Sequence, residues 1–295
     1  MLGTFWQLLR DTVSAWQADF AASMGAALSY YTLFSLAPLL IIAIAVAGLV
    51  FGQEAVRGEI FAQLQGLLGD EGATAVEDIL KSASTPKSGM LATVVGVGLL
   101  VFGATSVFAE LQADLDRIWK VPLREATGIW TLLRDRLLSF GMVLGVGFLL
   151  LVSLIVSAAL SAFARWSQGW LAELETMMQA VNFLVSFALI TGLFAMIYKI
   201  LPRAAIAWQD VWIGSVFTAL LFSIGKFAIG FYIGRSHLSA AYGGAGSLVV
   251  VLVWVYYAAQ IFLLGAEFTC VYAKTRGSHA TESALGPLAL GGPRS

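Results

Sequence analysis

An all-α, polytopic membrane protein with six transmembrane helices is the fold class this sequence predicts, and three observations predict it. Of its 295 residues, 59% are hydrophobic and only 12% are charged, about half the charge of an average soluble domain. Mean hydropathy is +0.85, and the apolar residues gather into uncharged runs that reach the roughly 20 residues a helix needs to cross a bilayer. Lys and Arg fall between those runs, with a bias to alternate connections. A net charge of −1 supplies no overall basic field for nucleic acid. The single cysteine, Cys270, excludes an internal disulfide framework and a multi-cysteine metal site.

The elements follow in chain order. Across residues 1–23, Phe5, Trp6, Leu9, Val13, Trp16 and Phe20 recur at helical spacing and predict an amphipathic helix lying in the interface. The first apolar run is too long and starts too late for a secretory signal. A transmembrane domain is expected over residues 24–275, with spans near Met24–Gly52, Met90–Leu111, Leu137–Ala164, Ala180–Ile200, Val211–Ile233 and Ser247–Tyr272. Between the first two spans, Gln53–Ser88 carries Glu54, Glu59, Asp70, Glu71, Glu77 and Asp78, together with an apolar stripe of Ile60, Phe61, Leu64, Leu67 and Leu68. Val76, Ile79 and Leu80 begin a second stripe. Two short extracytoplasmic helices capping the bundle are expected there, either as a solvated acidic loop or with a role in ligand access. Residues 276–295 are small, polar and Gly/Pro-containing, and are expected to be a disordered tail.

Cationic residues orient the spans. Arg10, Arg117, Lys120, Arg124, Arg134, Arg136, Lys199, Arg203, Lys274, Arg276 and Arg294 collect on one side. Arg57, Lys81, Lys87, Arg165 and Arg235 lie on the other, and Lys226 falls within a span. Both termini are therefore expected to be cytoplasmic.

Small and polar residues mark where the spans meet, because helices in lipid associate by close packing rather than by burial from water. Gly141, Gly145, Ser153, Ser157 and Ser161 form one row in the third span. In the second, Ala92, Gly96, Gly103 and Ser106 share a face that ends at Glu110. Gly214, Thr218, Lys226 and Gly230 form a row in the fifth. In the first span, Pro38 deprives the Phe34 carbonyl of its helical partner, a defect tolerated in lipid only where protein, water or a hydroxyl re-satisfies the backbone. Tyr31, Thr32 and Ser35 lie on one side of that helix and are expected to face the interior, as either a dry hydrogen-bonded core or a wet cavity. Tyr256, Gln260 and Glu267 form a second polar stripe in the sixth span. Charges inside spans usually face partners or water. Glu110 and Glu267 are read either as that or as interfacial partners of Arg117, Lys120 or Arg134. Lys226 is read either as an inward cation or as a snorkelling one.

Three blocks carry a family likeness: "AALSYYTLFSLAPLL" at Ala26–Leu40, "LDRIW" at Leu115–Trp119 and "YGGAGSLVVVLVWVYYAAQIFLLGAEF" at Tyr242–Phe268. In order and spacing the chain from about Arg10 to Lys274 resembles the YihY/BrkB family of polytopic bacterial inner-membrane proteins. That family usually has Asn where this chain has Asp116. The resemblance implies six spans and an inner-membrane location. It also implies links to serum resistance and envelope lipid export, and a historical ribonuclease label.

Nuclease chemistry needs clustered carboxylates or histidines to hold metal ions. Here the only histidines are His237 and His279, and Asp114 and Asp116 have basic neighbours but no histidine. The expectation is a non-enzymatic protein without metal or cofactor. It has the lipid bilayer as its surroundings, with an anionic lipid or other envelope amphiphile as ligand and a homo-oligomer allowed. Two functions remain. One is transport or flipping of an anionic amphiphile, with Tyr31, Thr32, Ser35, Lys226, Arg235, Tyr256 and Gln260 as binding residues. In both, Pro38, Glu110 and Glu267 are structural. The other function is a membrane scaffold whose polar stripes are simply packed.

Overall fold

The structure is a computed structural model, and it describes residues 2–84, 106–122, 173–236 and 246–278. Its elements are α1 (Leu2–Ala18), α2 (Ala21–Phe51), α3 (Gln53–Ser84), α4 (106–118), α5 (Glu173–Ile200), α6 (Trp208–Ser236) and α7 (Gly246–Thr275). Every described regular element is a helix. Four of them, α2, α5, α6 and α7, contain stretches long and apolar enough to cross a membrane: Ala21–Ala45, Phe183–Ile200, Trp208–Tyr232 and Leu248–Thr275. The expected third span (137–164), with its Gly141–Ser161 row, lies outside the described residues, as does the second up to residue 105.

Helix α7 is the hub and packs against α1, α2, α3 and α6, while α5 packs on α6. Its close fit to α6 is made by small residues. A β-carbon at Gly214 would collide with the Thr269 side chain, and one at Gly265 would collide with the hydroxyls of Thr218 and Tyr198. Each glycine on one helix thus receives a threonine from the other. Of the expected row on α6, Gly214 and Thr218 lie in this contact, whereas Gly230 faces open space. Tyr198, fully buried, donates its hydroxyl proton to the Phe262 carbonyl at 2.7 Å, and its ring packs among Phe194 and Phe262.

The opposite face of α6 inverts the pattern of a soluble helix. Trp212, Ile213, Val216, Leu220, Ile224, Phe227 and Phe231 are exposed, Ile224 at 67% and Phe227 at 70%. Those residues follow each other at one, three or four positions and form a continuous apolar stripe. Val211, Ser215, Thr218 and Ala219 are buried behind it. Apolar outside and small or polar inside is the arrangement a lipid solvent selects.

Two tight links shape the ends of α2. At its start, Phe20 takes the left-handed conformation (φ 58°), and its carbonyl accepts the N–H groups of Ser23 and Met24. The break between α1 and α2 therefore falls at Asp19–Phe20, and α2 starts at Ala21, three residues before the expected start of the first span. At its far end Gly52 has φ 84°, which a side chain rarely adopts, and the chain turns directly into α3. Helix α2 runs through Pro38 without interruption.

Where two short helices were expected, the chain forms one helix of 32 residues. Val56 near its start and Leu80 near its end are buried in one cluster with Ile44, although 24 positions on a straight helix span about 36 Å. A straight helix would not bring both into one cluster, and Gly66, Gly69 and Gly72, where a helix most easily curves, lie between them. No proline or strong stop interrupts Gln53–Ser84, so the two apolar stripes join. Among the described residues, Ser278 donates from its N–H and hydroxyl to Asp210 at 3.1 and 2.6 Å. The chain is thereby tied to the first turn of α6 just beyond α7, and residues 279–295 lie outside the described set.

Candidate functional site

Polar residues inside the bundle concentrate where α2, α4 and α7 meet. Ser35, fully buried on α2, lies 3.2 Å from Ser106 on α4, hydroxyl to hydroxyl. Thr32 is half-buried beside it and Tyr31 is exposed, so the three expected partners on α2 do not share one degree of burial. Ser29 returns its proton to the Gly25 carbonyl at 2.7 Å and is satisfied within its own helix.

Gln260 on α7 approaches α2 at its start. Its amide lies where a β-carbon of Gly25 would sit, and it donates a long bond of 3.4 Å to the Ala21 carbonyl. The other amide atom, Oε1, is buried with no partner among the described residues. Gln260 thus meets α2 about ten residues before Ser35, and the structure pairs Ser35 with α4 instead. Tyr256, one turn from Gln260, is exposed. Lys226 is half-buried on α6, its ammonium 5.1 Å from the centre of the Phe227 ring on its own helix. Arg235 lies in the last turn of α6, its side chain outside the described set.

Helix α4 carries the densest polar set. Ser106, Glu110 and Asp114 follow each other at steps of four along one side. Two neighbouring positions dock α4 on the α5–α6 loop. Gln112 donates to the Leu201 carbonyl at 3.0 Å. Asp116 accepts the Arg203 N–H at 2.8 Å and pairs with the Arg203 guanidinium at 3.5 Å. An asparagine at position 116 keeps the first bond and loses the ion pair. Lys199 closes the same loop through the Ile206 carbonyl.

At the end of α4, Lys120 is the other non-glycine residue in the left-handed region (φ 53°) among those described, and its ammonium pairs with Asp19 in the α1–α2 link. Glu267 on α7 faces this pair. It is 1% exposed, its carboxyl lies against Asp19, and Lys120 and Lys274 are the nearest cations. Its Oε1 has no hydrogen-bond partner among the described residues. Cys270, one turn on, points its thiol at the Ile118 carbonyl at 3.5 Å. Glu110 is half-buried and enters no ion pair among the described residues.

Asp114 and Asp116, two residues apart, are both buried, at 5% and 8% exposure. Asp116 has its partners, whereas Asp114 keeps a buried Oδ2 with none among the described residues. Burial, and next the Glu110 carboxylate one turn away, push the Asp114 carboxyl up to about 7, against a smaller opposing pull from Arg117. In the sequence pattern the small-residue face of the second span ends at Glu110. One further step of four along the same face reaches Asp114. The Asp19–Lys120 pair joins residues 101 positions apart, and nothing local in the sequence announces it.

Among the described residues, no three His, Cys, Asp or Glu side chains come together to hold a metal ion. Four apolar crossing helices around a small-residue and polar interior define an integral, all-helical membrane protein. The family model described as "Virulence factor BrkB" matches residues 12–286, and the chain belongs to that family. Curated relatives include UPF0761 membrane proteins of Verminephrobacter eiseniae, 28% identical over 90% of this chain and 62% of the relative, and of Ralstonia nicotianae, 30% identical over 84% of this chain and 54% of the relative. A third, from Pseudoalteromonas translucida, is 28% identical over 82% of this chain and 78% of its own length. The chain therefore spans little more than half the length of the first two relatives. No solved structure matches.

Proposed function

We propose that this protein resides in the bacterial inner membrane, both termini cytoplasmic, and moves or flips an anionic amphiphilic component of the envelope without acting as an enzyme. The observation that carries the reading is the polar interior between α2, α4 and α7. Buried Gln260 Oε1 and Asp114 Oδ2 lack protein partners among the described residues. An atom of this kind costs roughly 1–3 kcal/mol if its bond is left unmade, and a wet interior or a polar ligand would supply the missing partner. On this reading half-buried Thr32, buried Ser35 and Gln260 belong to the interior route, exposed Tyr31 and Tyr256 would meet the amphiphile from outside it, and Lys226 and Arg235 on α6 would serve as head-group cations. The exposed Phe5, Trp6, Val13 and Phe20 support α1 lying along the interface, its Leu8–Thr12 face packed inward.

The scaffold reading draws on different contacts: the Ser35–Ser106 pair and the Tyr198–Phe262 bond are satisfied inside protein. Reconstitution into liposomes with fluorescent phospholipids separates the two. Transport predicts that the labelled lipid reaches the opposite leaflet faster than in protein-free vesicles, and that Lys226→Met slows it while Lys226→Arg retains part. Equal rates with and without protein, across anionic and zwitterionic lipids, favour the scaffold. Full activity in Lys226→Met places the head-group site elsewhere.

A further inference from the structure

We propose that Asp114 is a proton-binding site set on the interior polar row of α4. Three features of geometry carry this. Asp114 is buried, yet its Oδ2 has no donor among the described residues. An ionised carboxylate in such a place lacks the hydrogen bonds that would offset its desolvation, whereas a protonated one leaves a smaller polar deficit. A second acidic side chain, Glu110, sits one helical turn away on the same side, and its charge opposes a second negative charge nearby. Among the described residues, the cation bearing on Asp114 is Arg117, which is exposed to solvent and screened.

Charged groups on the elements around it are engaged with others: Arg203 with Asp116, Lys120 with Asp19, and Glu267 faces Asp19 and Lys120. Asp116 is the internal control. It is buried to nearly the same extent on the same helix, and it is supplied with a backbone N–H and a guanidinium. The fold therefore provides for one carboxylate and leaves its neighbour to be neutralised by a proton. Ser106 and Ser35 continue the row away from Asp114, so the site sits at one end of a line of polar side chains inside the bundle. Coupling of that proton to lipid movement rests on the transport reading; binding of the proton does not.

Infrared difference spectroscopy on the purified protein in lipid nanodiscs tests it, with aspartate labelled with ¹³C at the carboxyl. The expected result is a protonated carboxyl stretch that shifts with the label and disappears as pH rises through neutrality. It should be absent in Asp114→Asn and retained in Asp114→Glu outside the label shift. In Glu110→Gln it should persist but disappear at lower pH, because the opposing charge is gone. A label-sensitive band unchanged in Asp114→Asn, or no labelled carboxyl titrating near neutral pH, overturns the proposal. In liposomes, a pH gradient that alters lipid movement in the wild type but not in Asp114→Asn shows the coupling. A titrating Asp114 with no lipid movement sinks the transport reading alone.

Discussion

Replacing Asp114 with asparagine removes the one ionisation that the structure penalises most clearly outside the crossing stretches. The carboxyl is pushed from 3.8 up to about 7, mainly by burial and then by Glu110. A raised value means that the native state holds the proton more tightly than the unfolded chain. Stability from this group is therefore complete below about pH 4, falls as pH rises from there to about 7, and stays low above it. Asparagine keeps the shape of the protonated form and does not ionise. At about 1.4 kcal/mol per unit, the full shift is worth about 4 kcal/mol. Solvent screening at a site that is not fully enclosed reduces this to about 2 kcal/mol. For a chain of this size that is an increase in Tm of about 4 °C at pH 8. The assay is thermal unfolding in detergent, followed by tryptophan fluorescence from pH 4 to 8 in both proteins. The two curves should coincide at the acid end and separate as pH rises. A separation that is the same at every pH, or a variant less stable than wild type at pH 8, refutes the reasoning.

Three other outcomes follow from the packing. Gly265→Val and Gly214→Val should each cost about 1–3 kcal/mol by overpacking against Thr218, Tyr198 or Thr269, while Gly230→Val, which meets open space, should leave the elution profile and melting unchanged. Tyr198→Phe removes the bond to the Phe262 carbonyl and should lower stability by about 1 kcal/mol without altering oligomeric state; an unchanged melt would mean the hydroxyl contributes nothing. Single cysteines at Gly58 and Arg276, in a Cys270→Ala background, should react with an impermeant thiol reagent from opposite sides of the membrane, and labelling of both from one side would contradict the orientation.

Much of the helix plan was legible because lipid imposes a simple rule: an uncharged run of sufficient length crosses, and the close contacts fall on its small residues. Gly214 and Thr218 show this, since they were read as contact residues and lie against Thr269 and Gly265. The link conformations were harder to read. Phe20 and Lys120 adopt positive φ without the glycine that usually marks it, so residue type gave no local sign of either link. Lys120 reaches Asp19 across the fold. Two apolar stripes over Gln53–Ser88 predict two short helices, but periodicity alone does not say whether the hydrogen-bonded ladder is broken between them. Gln260 illustrates a different limit. Its helical face was readable, yet its level against α2 depends on how far α7 is displaced along the bundle, which no single-helix pattern encodes. Gly25 was the usable signal, because a glycine beside Leu28 and Ser29 leaves room for a long side chain from a neighbour.

The unpartnered polar atoms are not scattered evenly through the bundle. Buried atoms without a partner among the described residues occur on Trp16, Asp114, Ser215, Trp254, Gln260 and Glu267. Trp16, Asp114 and Glu267 lie near the α1–α2 link or the end of α4. Gln260 touches Ala21, and Ser215 follows the Gly214–Thr269 contact. Only Trp254 lies toward the end where α3 packs. Satisfied polar contacts such as Ser35–Ser106 continue farther along the bundle, so polarity alone does not explain the concentration. The end where α1 meets α7 is also where Phe20 and Lys120 hold left-handed backbone, a conformation that ordinary packing avoids and that recurs where structure serves a function. Unpartnered polar atoms among the described residues and positive-φ backbone thus fall together at one end of the bundle, and on the transport reading proposed above this is the end at which ligand or proton would exchange with water. Blocking that end by packing, as Gly25→Val would do against Gln260, should therefore impair function more than an equally destabilising change in the α2–α3 cluster around Ile44.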